Sequence, residues 1–360
     1  MKKNQLILSL ILSALLSSCD RSNKDSQEGV HTKTYKKQTE NFSYNFTRKM
    51  IGTLRVQSQQ ESIIKGFRLK WYNEHLWMGN NLKLIRYDAS LNNYEAFGKQ
   101  GGGPDENQNI TYFTVSNDSY TIFDFEKQRV ATYTFKDSLL RYQKFNDGNI
   151  PFIDYFGIQE SKNEYLLMYE ESSQSKGYDY KFSITNNTGA RLKDFSLKKL
   201  LNINDLEDLE LALEGEFITN HPKFTVFYFF KVGKFIVYEG TLRNTKIYDT
   251  VDKTPIPQTV RVTRGDGGFN IQTKPPYIIF SSASVSKNHL YLLSTLAEKN
   301  YKMLDIYQLT TGKYIGSIKL PDLDDGQSAE LIQITPDEKR LYVQYEDLGL
   351  VNYTIDYFMK

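Results

Sequence analysis

A polar turn followed by a short apolar strand recurs along the chain from about residue 42 onwards. In each copy, polar and charged residues precede a run of Leu, Ile, Val, Tyr or Phe, residue types that are common in β-strands. The copies begin about 45 to 70 residues apart, which leaves room for four short strands in most intervals. The six copies are residues 73–78, 117–122, 162–167, 232–237, 286–292 and 336–343.

Residues 97–145 are the clearest copy of this repeat, with a Gly-rich loop before four candidate strands. A repeat of about 45 residues that contains four strands is typical of a β-propeller. The pattern therefore predicts an all-β, six-bladed β-propeller over residues 42–360. The candidate strands are 111–118, 120–125, 129–135 and 138–145.

The last repeat has no outer strand of its own, whereas an extra strand-like stretch, residues 42–57, precedes the first repeat. We expect this N-terminal strand to complete the last blade. Such a pairing would close the propeller without leaving free sheet edges between its first and last blades.

The longest interval contains an insertion, residues 197–215, in which Leu recurs at roughly helical spacing among Asp and Glu. This periodicity predicts one short amphipathic helix. We expect its apolar face to pack on the propeller; the alternative is a helix that binds a partner protein.

The N-terminus has the features of an export signal. Lys2 and Lys3 precede an apolar run, 6–16, that is too short to span a bilayer as a helix. The sequence Leu-Ser-Ser-Cys that ends at Cys19 resembles the lipobox of bacterial lipoproteins. The resemblance implies a signal peptide over residues 1–18 and lipid attachment at Cys19; the alternative is an ordinary signal peptide.

The stretch after this signal, residues 19–41, is polar and has no hydrophobic periodicity. We expect it to be a flexible tether between the lipid and the folded domain.

Cysteine content and charge limit the function classes. Cys19 is the only cysteine, so its modification would leave no thiol for a disulfide, a metal site or a nucleophile. The chain has 45 basic and 43 acidic residues, and loss of residues 1–18 removes two lysines and no acid. The balanced charge gives no electrostatic footprint for nucleic acid.

No local motif carries catalytic chemistry. Residues 101–103 lack the Lys of a phosphate-binding loop, and we expect these glycines to supply positive φ between two blades. Residues 322–326 lack the fifth-position ligand of a calcium loop. We expect residues 264–266 to form a turn between blades, and Asp124 and Arg129 to pair with each other within their blade. The histidines form no metal-binding or hydrolase motif.

Residues 97–135 resemble an NHL-type repeat in the placing of Phe-Gly, spaced glycines, Pro, Asp and Arg. The whole domain resembles the six-bladed, NHL-like or TolB-like propeller lipoproteins of Bacteroides and related bacteria. The resemblance implies a lipid-anchored protein of the cell envelope. The matching residues are Phe97, Gly98, Gly101, Gly103, Pro104, Asp124 and Arg129.

The connections between blades of a propeller lie around the mouth of its channel, and here they are rich in Asp and Glu. We hypothesise an acidic mouth, which would favour cationic or polyhydroxylated ligands or a bound cation. The alternative is that these acidic loops only solvate one face. The candidate ligand residues are Asp105, Glu106, Asp154, Asp266, Asp322, Asp324 and Asp325.

These features favour a monomeric, lipid-anchored envelope module over an enzyme. We expect it to bind a carbohydrate, a peptide or an envelope protein through its inter-blade loop face. The alternative is a lactonase-like or lyase-like enzyme with a metal ion in the channel, and a third hypothesis is a structural partner of an outer-membrane complex. The sequence nominates no catalytic residue, and no cofactor other than the hypothesised channel cation.

Overall fold

The computed structural model describes most of the chain from residue 30 onwards. It is all-β, and the described part contains a single one-turn helix, α1 (Leu197–Leu201). No helix in that part is long and apolar enough to cross a membrane. The described residues are 30–39, 42–62, 64–145, 153–159, 164–173, 177–186, 188, 190–203, 209, 211–239, 244–265, 267–274, 278–297, 300–346 and 349–358.

The described part of the fold contains 27 strands. In chain order they are β1 Thr32–Thr39, β2 Phe42–Glu61, β3 Arg68–Tyr72, β4 His75–Gly79, β5 Leu84–Asp88, β6 Tyr94–Phe97, β7 Ile110–Val115, β8 Ser119–Asp124, β9 Arg129–Thr134, β10 Leu139–Lys144, β11 Ile153–Gln159, β12 Glu164–Ser173, β13 Gly177–Asn186, β14 Arg191–Ser196, β15 Gly215–Ile218, β16 Phe224–Phe229, β17 Lys234–Glu239, β18 Asn244–Asp249, β19 Gln258–Thr263, β20 Phe269–Lys274, β21 Phe280–Val285, β22 His289–Ser294, β23 Tyr301–Gln308, β24 Tyr314–Pro321, β25 Ala329–Ile334, β26 Arg340–Tyr345 and β27 Gly349–Tyr357.

Four small antiparallel sheets follow one another along the chain: β3 to β6, β7 to β10, β11 to β14 and β15 to β18. The hairpin β19–β20 comes next. The remaining strands form a nine-stranded sheet in the order β21-β22-β23-β24-β2-β27-β26-β25, with β1 on β2. The sheets adopt a propeller-like arrangement, in which contacts between their first strands run in a closed cycle through β3, β7, β11, β15, β21 and β25.

The strands predicted after the six polar turns are all present, as β4, β8, β12, β17, β22 and β26. Each pairs with the strand before it and the strand after it. Side chains such as Leu76, Ile122 and Leu292 are fully buried. Burial of these side chains on both faces of the sheets accounts for the apolar runs that marked the strands in the sequence.

The predicted pairing of the N-terminal strand with the last strand is confirmed. β2 runs antiparallel to β27, from Gly52 opposite Tyr357 to Glu61 opposite Gly349. It also pairs in parallel with β24 at Met50. β2 therefore joins the strands β21 to β24 to the strands β25 to β27.

Strand β1 lies within the stretch that the sequence assigns to the tether. It pairs with the first half of β2, from Thr32 opposite Lys49 to Thr39 opposite Phe42. Tyr35 is the only buried side chain among those described in β1. Because β1 has so few apolar side chains, it shows no clear period-two pattern and the sequence does not predict it. Backbone hydrogen bonds to β2 supply much of the stabilisation of this strand.

Arg48 of β2 is fully buried and fastens this strand to β23. Its guanidinium forms a bidentate ion pair with Asp305, with both N–O distances 2.8 Å, and donates to Ser294 Oγ at 2.9 Å. The rings of Tyr35 and Phe46 stack on each other, and their centroids lie 4.7 and 4.8 Å from the guanidinium carbon. Burial alone would lower the pKa of Arg48, but the charge of Asp305, the hydrogen bond to its carboxylate and smaller effects of Tyr307 and Tyr35 together outweigh burial and raise the pKa.

The helix in the insertion is shorter than predicted. α1 begins after Ser196, whose hydroxyl caps the backbone N–H of Lys199, and ends at Asn202 in the left-handed conformation. Leu197, Leu209 and Leu213 are nevertheless buried in one cluster. The apolar side chains therefore pack on the sheets as expected, but without one continuous helix.

Residues 264–265 form a turn in the connection from β18 to β21, as expected, but this turn belongs to an additional hairpin. They lie in the turn of the β19–β20 hairpin, where Arg264 N donates to Gly268 O at 2.7 Å. This hairpin is an insertion within the connection from β18 to β21, so it lengthens that interval of the repeat.

The hydrophobic core is divided into clusters that lie between consecutive sheets. One cluster joins Trp77 and Leu84 of the first sheet to Phe113 and Ile122 of the second. Another joins the first sheet to β26 and β27, at the end of the chain, through residues such as Tyr342. The sheets therefore pack face to face in a closed series.

Candidate ligand-binding site

A cavity of about 370 Å³ opens at the ends of β3, β7, β11, β15 and β21, and we call it the cup. Its walls combine aromatic side chains with a few polar groups that converge from different strands. The aromatic residues are Phe67, Phe125, Phe156, Phe217 and Phe230, and the polar residues are Arg68, Asn81, Asn109, Thr111, Glu216 and Ser281.

An ion pair between Arg68 and Glu216 forms the floor of the cup. Arg68 belongs to β3 and Glu216 to β15, so the pair joins strands that are not neighbours in the cycle. Arg68 also donates to Phe217 O at 3.1 Å and lies 4.3 Å from the ring centroid of Tyr112. Tyr228 donates to the second carboxylate oxygen of Glu216 at 2.6 Å. Both charged groups are therefore held in fixed positions by the protein.

The space below this ion pair is small. It has a volume of about 30 Å³, enough for roughly two water molecules, and is lined by Lys70 and Gln333 among others. Lys70 donates to Thr114 Oγ1, and the Tyr112 hydroxyl bonds that of Thr219 across the same space. These side chains close the cup from below, so a ligand enters and leaves by the open end.

Three polar atoms of cup residues are buried and have no hydrogen-bond partner in the protein. They are Arg68 Nε, Asn109 Oδ1 and Ser281 Oγ. A buried polar atom without a partner costs about 1–3 kcal/mol. Arg68 lies in β3, Asn109 directly precedes β7 and Ser281 lies in β21, and the surrounding protein covers all three atoms.

The charged lining of the cup is balanced. Arg68 and Glu216 are its charged residues, and they pair with each other. The remaining polar groups are amides and hydroxyls. The cup therefore differs in character from the acidic mouth that the sequence suggests.

The predicted ligand residues Asp105 and Glu106 lie in the connection from β6 to β7, and neither lines the cup. Asp105 is exposed. Glu106 turns back on its own loop, where it accepts a hydrogen bond from Gly103 N at 2.7 Å. A Cβ at Gly101 would lie 2.1 Å from this carboxylate, so any other residue there would force the Glu106 side chain to move. Glu106 therefore serves the loop's own structure.

Asp322, Asp324 and Asp325 lie in the connection from β24 to β25, also outside the cup lining. Burial raises the pKa of Asp322, against the opposing effects of a hydrogen bond from Ser328 and the charge of Lys302. Asp324 and Asp325 are exposed.

The other predicted site residues lie wholly or partly outside the described residues. Asp154 is in β11, but its side chain is not among those described, and Asp266 and Cys19 lie outside them altogether. In the described ranges, no group of three or more His, Cys, Asp or Glu side chains is placed to hold a metal ion.

Asp124 and Arg129 are opposite each other in β8 and β9, but the expected ion pair between them is wrong. Asp124 accepts hydrogen bonds from the backbone N–H groups of Gln108 and Asn109, at 3.0 and 3.2 Å. Arg129 donates to the carbonyl oxygens of Pro104 and Glu106, at 2.5 Å each. Both side chains bind the β6–β7 connection, because its backbone groups would otherwise lack partners.

The sequence patterns described above do not single out Arg68, Asn109, Glu216 and Ser281 as site residues. A usable signal was present: Arg68 and Lys70 alternate with apolar residues in β3, and Glu216 interrupts an otherwise apolar β15. Charged side chains at such positions interrupt the apolar pattern of strands that are buried on both faces, and so mark candidate polar sites.

Comparisons with known proteins bear on the fold. No protein-family model and no curated protein matches the sequence. Among solved structures, the chain is similar to a member of the DUF4221 family from Bacteroides vulgatus, with a TM-score of 0.55, 10% identity and coverage of 92% of this chain and 99% of that one. Hsv2 from Kluyvelomyces marxianus is less similar, with a TM-score of 0.43, 8% identity and coverage of 82% and 77%. The chain thus shares a propeller-like fold with the Bacteroides vulgatus protein, across almost the whole length of both.

Proposed function

We propose that this protein is a binding module that holds a small ligand in the cup. The observation that carries the proposal is a cavity of about 370 Å³ whose walls combine five Phe side chains with a few polar side chains from different strands. Small-molecule sites commonly have volumes of about 300–1,000 Å³ and combine apolar walls with a few placed polar groups. Because hydrogen bonds already hold the Arg68–Glu216 ion pair in place, such a ligand could bind above it without a change in the fold.

We further propose that the fold is a six-bladed propeller. In this interpretation the nine-stranded sheet consists of two four-stranded blades, β21 to β24 and β25 to β27 with β2, joined through the parallel contact of β2 and β24. The closed cycle of first-strand contacts supports six blades, as do the core clusters between consecutive sheets.

We also propose that Cys19 carries a lipid that anchors the protein in the cell envelope. Its lipobox-like context supports this assignment, and β1 begins at Thr32, so a tether of about a dozen residues would reach roughly 40 Å when extended. Replacing Cys19 by Ser should abolish the incorporation of a labelled fatty acid into the protein. Labelling of the Cys19→Ser protein to the same extent as the parent would contradict the proposal.

The binding proposal is tested with the full chain carrying Cys19→Ser and a panel of neutral sugars, nucleosides, dipeptides, amines and carboxylates. A ligand at a hundred times its Kd should stabilise the protein by about 2.7 kcal/mol, seen as a raised melting temperature. Ser281→Leu should reduce the shift, because the larger side chain takes up part of the cup. Ser138→Leu, at an exposed position, is the matched control. The proposal is wrong if no ligand class shifts the melting temperature, or if Ser281→Leu responds like the parent.

A further inference from the structure

We infer that the protein has a second binding site, separate from the cup, which takes a small apolar carboxylic acid. The site is a cavity of about 360 Å³ beside the closing strand β2, and we call it the seam cavity. Its lining includes Lys49 and Ile51 of β2, His289 and Tyr291 of β22, and Tyr357 of β27.

The seam cavity lies where β2 joins the strands β21 to β24 to the strands β25 to β27. It shares no lining residue with the cup, so the inference does not rest on the binding function proposed for the cup. Its volume falls in the range of about 300–1,000 Å³ that is common for small-molecule sites.

Lys49 supplies a charge that favours an anion. Side chains alternate between the two faces of a strand. Lys49 and Ile51 both line the seam cavity, whereas Arg48 binds Asp305 and Met50 packs in a different cluster. Lys49 is half-buried, and no residue in the described ranges forms an ion pair or a hydrogen bond with its ammonium group. An anion that enters the cavity therefore meets a cation that has no other partner.

The carboxylate that lines the same cavity is already occupied. Glu338 accepts hydrogen bonds from Ser286 Oγ at 2.5 Å and from His289 Nδ1 at 2.8 Å. Nε2 of His289 has no partner in the described part of the chain, and in the protonated ring it can donate to an oxygen of a ligand. A carboxylate can therefore bind both Lys49 and His289, whereas an amine is repelled by Lys49 and finds Glu338 engaged.

Two tyrosine side chains of the cavity do not oppose an anion. The hydroxyl groups of Tyr291 and Tyr357 lie 3.0 Å apart and bond each other. Burial raises the pKa of both phenols, that of Tyr357 to about 12, so both stay neutral at physiological pH. Their rings add apolar surface to the lining of the cavity.

The rest of the lining is aliphatic and suits an apolar body on the acid. Ile51 and Ile306 belong to one buried cluster with Tyr291, and Ile315 packs against it. A small inorganic anion would leave this surface in contact with water, and a neutral hydrocarbon would leave the ammonium group of Lys49 without a partner. The lining thus matches a molecule that has both a carboxylate and a hydrocarbon part.

The test is isothermal titration calorimetry of the full chain carrying Cys19→Ser against butyrate, hexanoate, octanoate, hexanamide and hexylamine. We expect hexanoate to bind at least tenfold more tightly than its amide and its amine. Binding should tighten about fourfold with each added CH₂ group until the cavity is full, because each buried CH₂ contributes ~0.8 kcal/mol.

Variants locate the site. Lys49→Met should weaken hexanoate binding about tenfold or more, because it removes the charged partner, and Lys49→Arg should keep most of the affinity. Lys36→Met, at an exposed lysine of β1, is the matched control and should change nothing. Ser281→Leu alters the cup and should also leave hexanoate binding unchanged.

Four results would overturn the inference: no acid binds, the amide or the amine binds as tightly as hexanoate, Lys49→Met binds like the parent, or Ser281→Leu weakens hexanoate binding as much as Lys49→Met does. The last result would place the acid in the cup and would support the binding function proposed there. Melting temperatures of the two Lys49 variants within a few degrees of the parent exclude misfolding as the cause of any loss.

Discussion

Arg48 and Arg55 lie on the same strand, β2, and show how differently one residue type acts in different surroundings. Arg48 is fully buried against Asp305, whereas Arg55 and its partner Asp356 are exposed, with side-chain exposures of 66% and 49%. An exposed ion pair contributes at most about 1 kcal/mol to the free energy of unfolding. Removal of one partner from a buried pair costs more, because the other charge is left buried with neither its partner nor water.

We therefore expect Arg48→Ala to lower the free energy of unfolding by about 3–5 kcal/mol, and Arg55→Ala by less than about 1 kcal/mol. Urea unfolding followed by tryptophan fluorescence measures both. Adding Asp305→Asn to Arg48→Ala should recover part of the loss, because the stranded charge is gone. Equal effects of the two arginine substitutions would contradict this account of β2.

The unpartnered atoms of the cup are also features of single residues, and they mark the limit of what the sequence predicts about the site. The sequence draws attention to acidic loops because charge runs are visible in a linear chain. The cup depends on Arg68 meeting Glu216 from another sheet, a separation of 148 residues. Such a pairing follows from the closure of the whole fold, and no local pattern reports it.

At the scale of the element, the turns between strands dock on neighbouring sheets. Glu338, in the turn from β25 to β26, contacts the turn from β21 to β22. Its carboxylate accepts hydrogen bonds from Ser286 Oγ at 2.5 Å and from His289 Nδ1 at 2.8 Å. Burial alone would raise the pKa of Glu338, but these hydrogen bonds and the charge of His289 outweigh it and lower the pKa.

A lowered carboxyl pKa has a defined consequence for stability. Ionised Glu338 stabilises the fold above its ordinary pKa of 4.5, and this contribution is lost as the pH falls through the lower pKa of the folded state. Glu338→Gln should therefore reduce the acid-induced fall in the free energy of unfolding below about pH 5. Urea unfolding at several pH values measures the slope.

Glu74 provides the control for this prediction. It occupies the turn from β3 to β4 with the same φ of 61° as Glu338, and its side chain is exposed. Glu74→Gln should leave the pH dependence unchanged. If the free energy of unfolding of Glu338→Gln falls with acid as steeply as that of the parent, the ionised Glu338 carboxylate does not contribute to stability as expected.

At the scale of the whole molecule, the repeated polar turns and apolar runs predicted the order of the sheets. Both patterns can be recognised from neighbouring residues in the sequence. Val237 and its neighbours in β17, for example, form an apolar run after a polar turn, and this is enough to place the strand. β1 and the hairpin β19–β20 are missed because their strands carry mainly polar side chains. β1 forms a strand by pairing with β2, and β19 by pairing with β20, and the hydrophobic pattern of the sequence does not show these pairings.

Closure by β2 predicts the effect of truncation. Removal of residues 1–61 deletes β1 and β2, exposes the edges of β24 and β27, and leaves Asp305 without Arg48. We expect this chain to aggregate or to lack a cooperative thermal transition, whereas a chain that starts at residue 30 should melt like the Cys19→Ser protein. Size-exclusion chromatography and circular dichroism measure both. A monomeric chain that lacks residues 1–61 and melts normally would contradict the role of β2.

The pairing of β2 with β27 also has a consequence for the kinetics of folding. β2 is among the first strands to be synthesised, yet most of its partners belong to β27 at the other end of the chain. At about 5–20 residues per second, synthesis delivers β27 roughly 15 to 60 s after β2. During that interval the long strand β2 has no antiparallel partner other than β1, and loop closure over almost the whole chain must precede the final pairing. The protein is therefore expected to be a slow folder, most prone to aggregation just before its two ends meet.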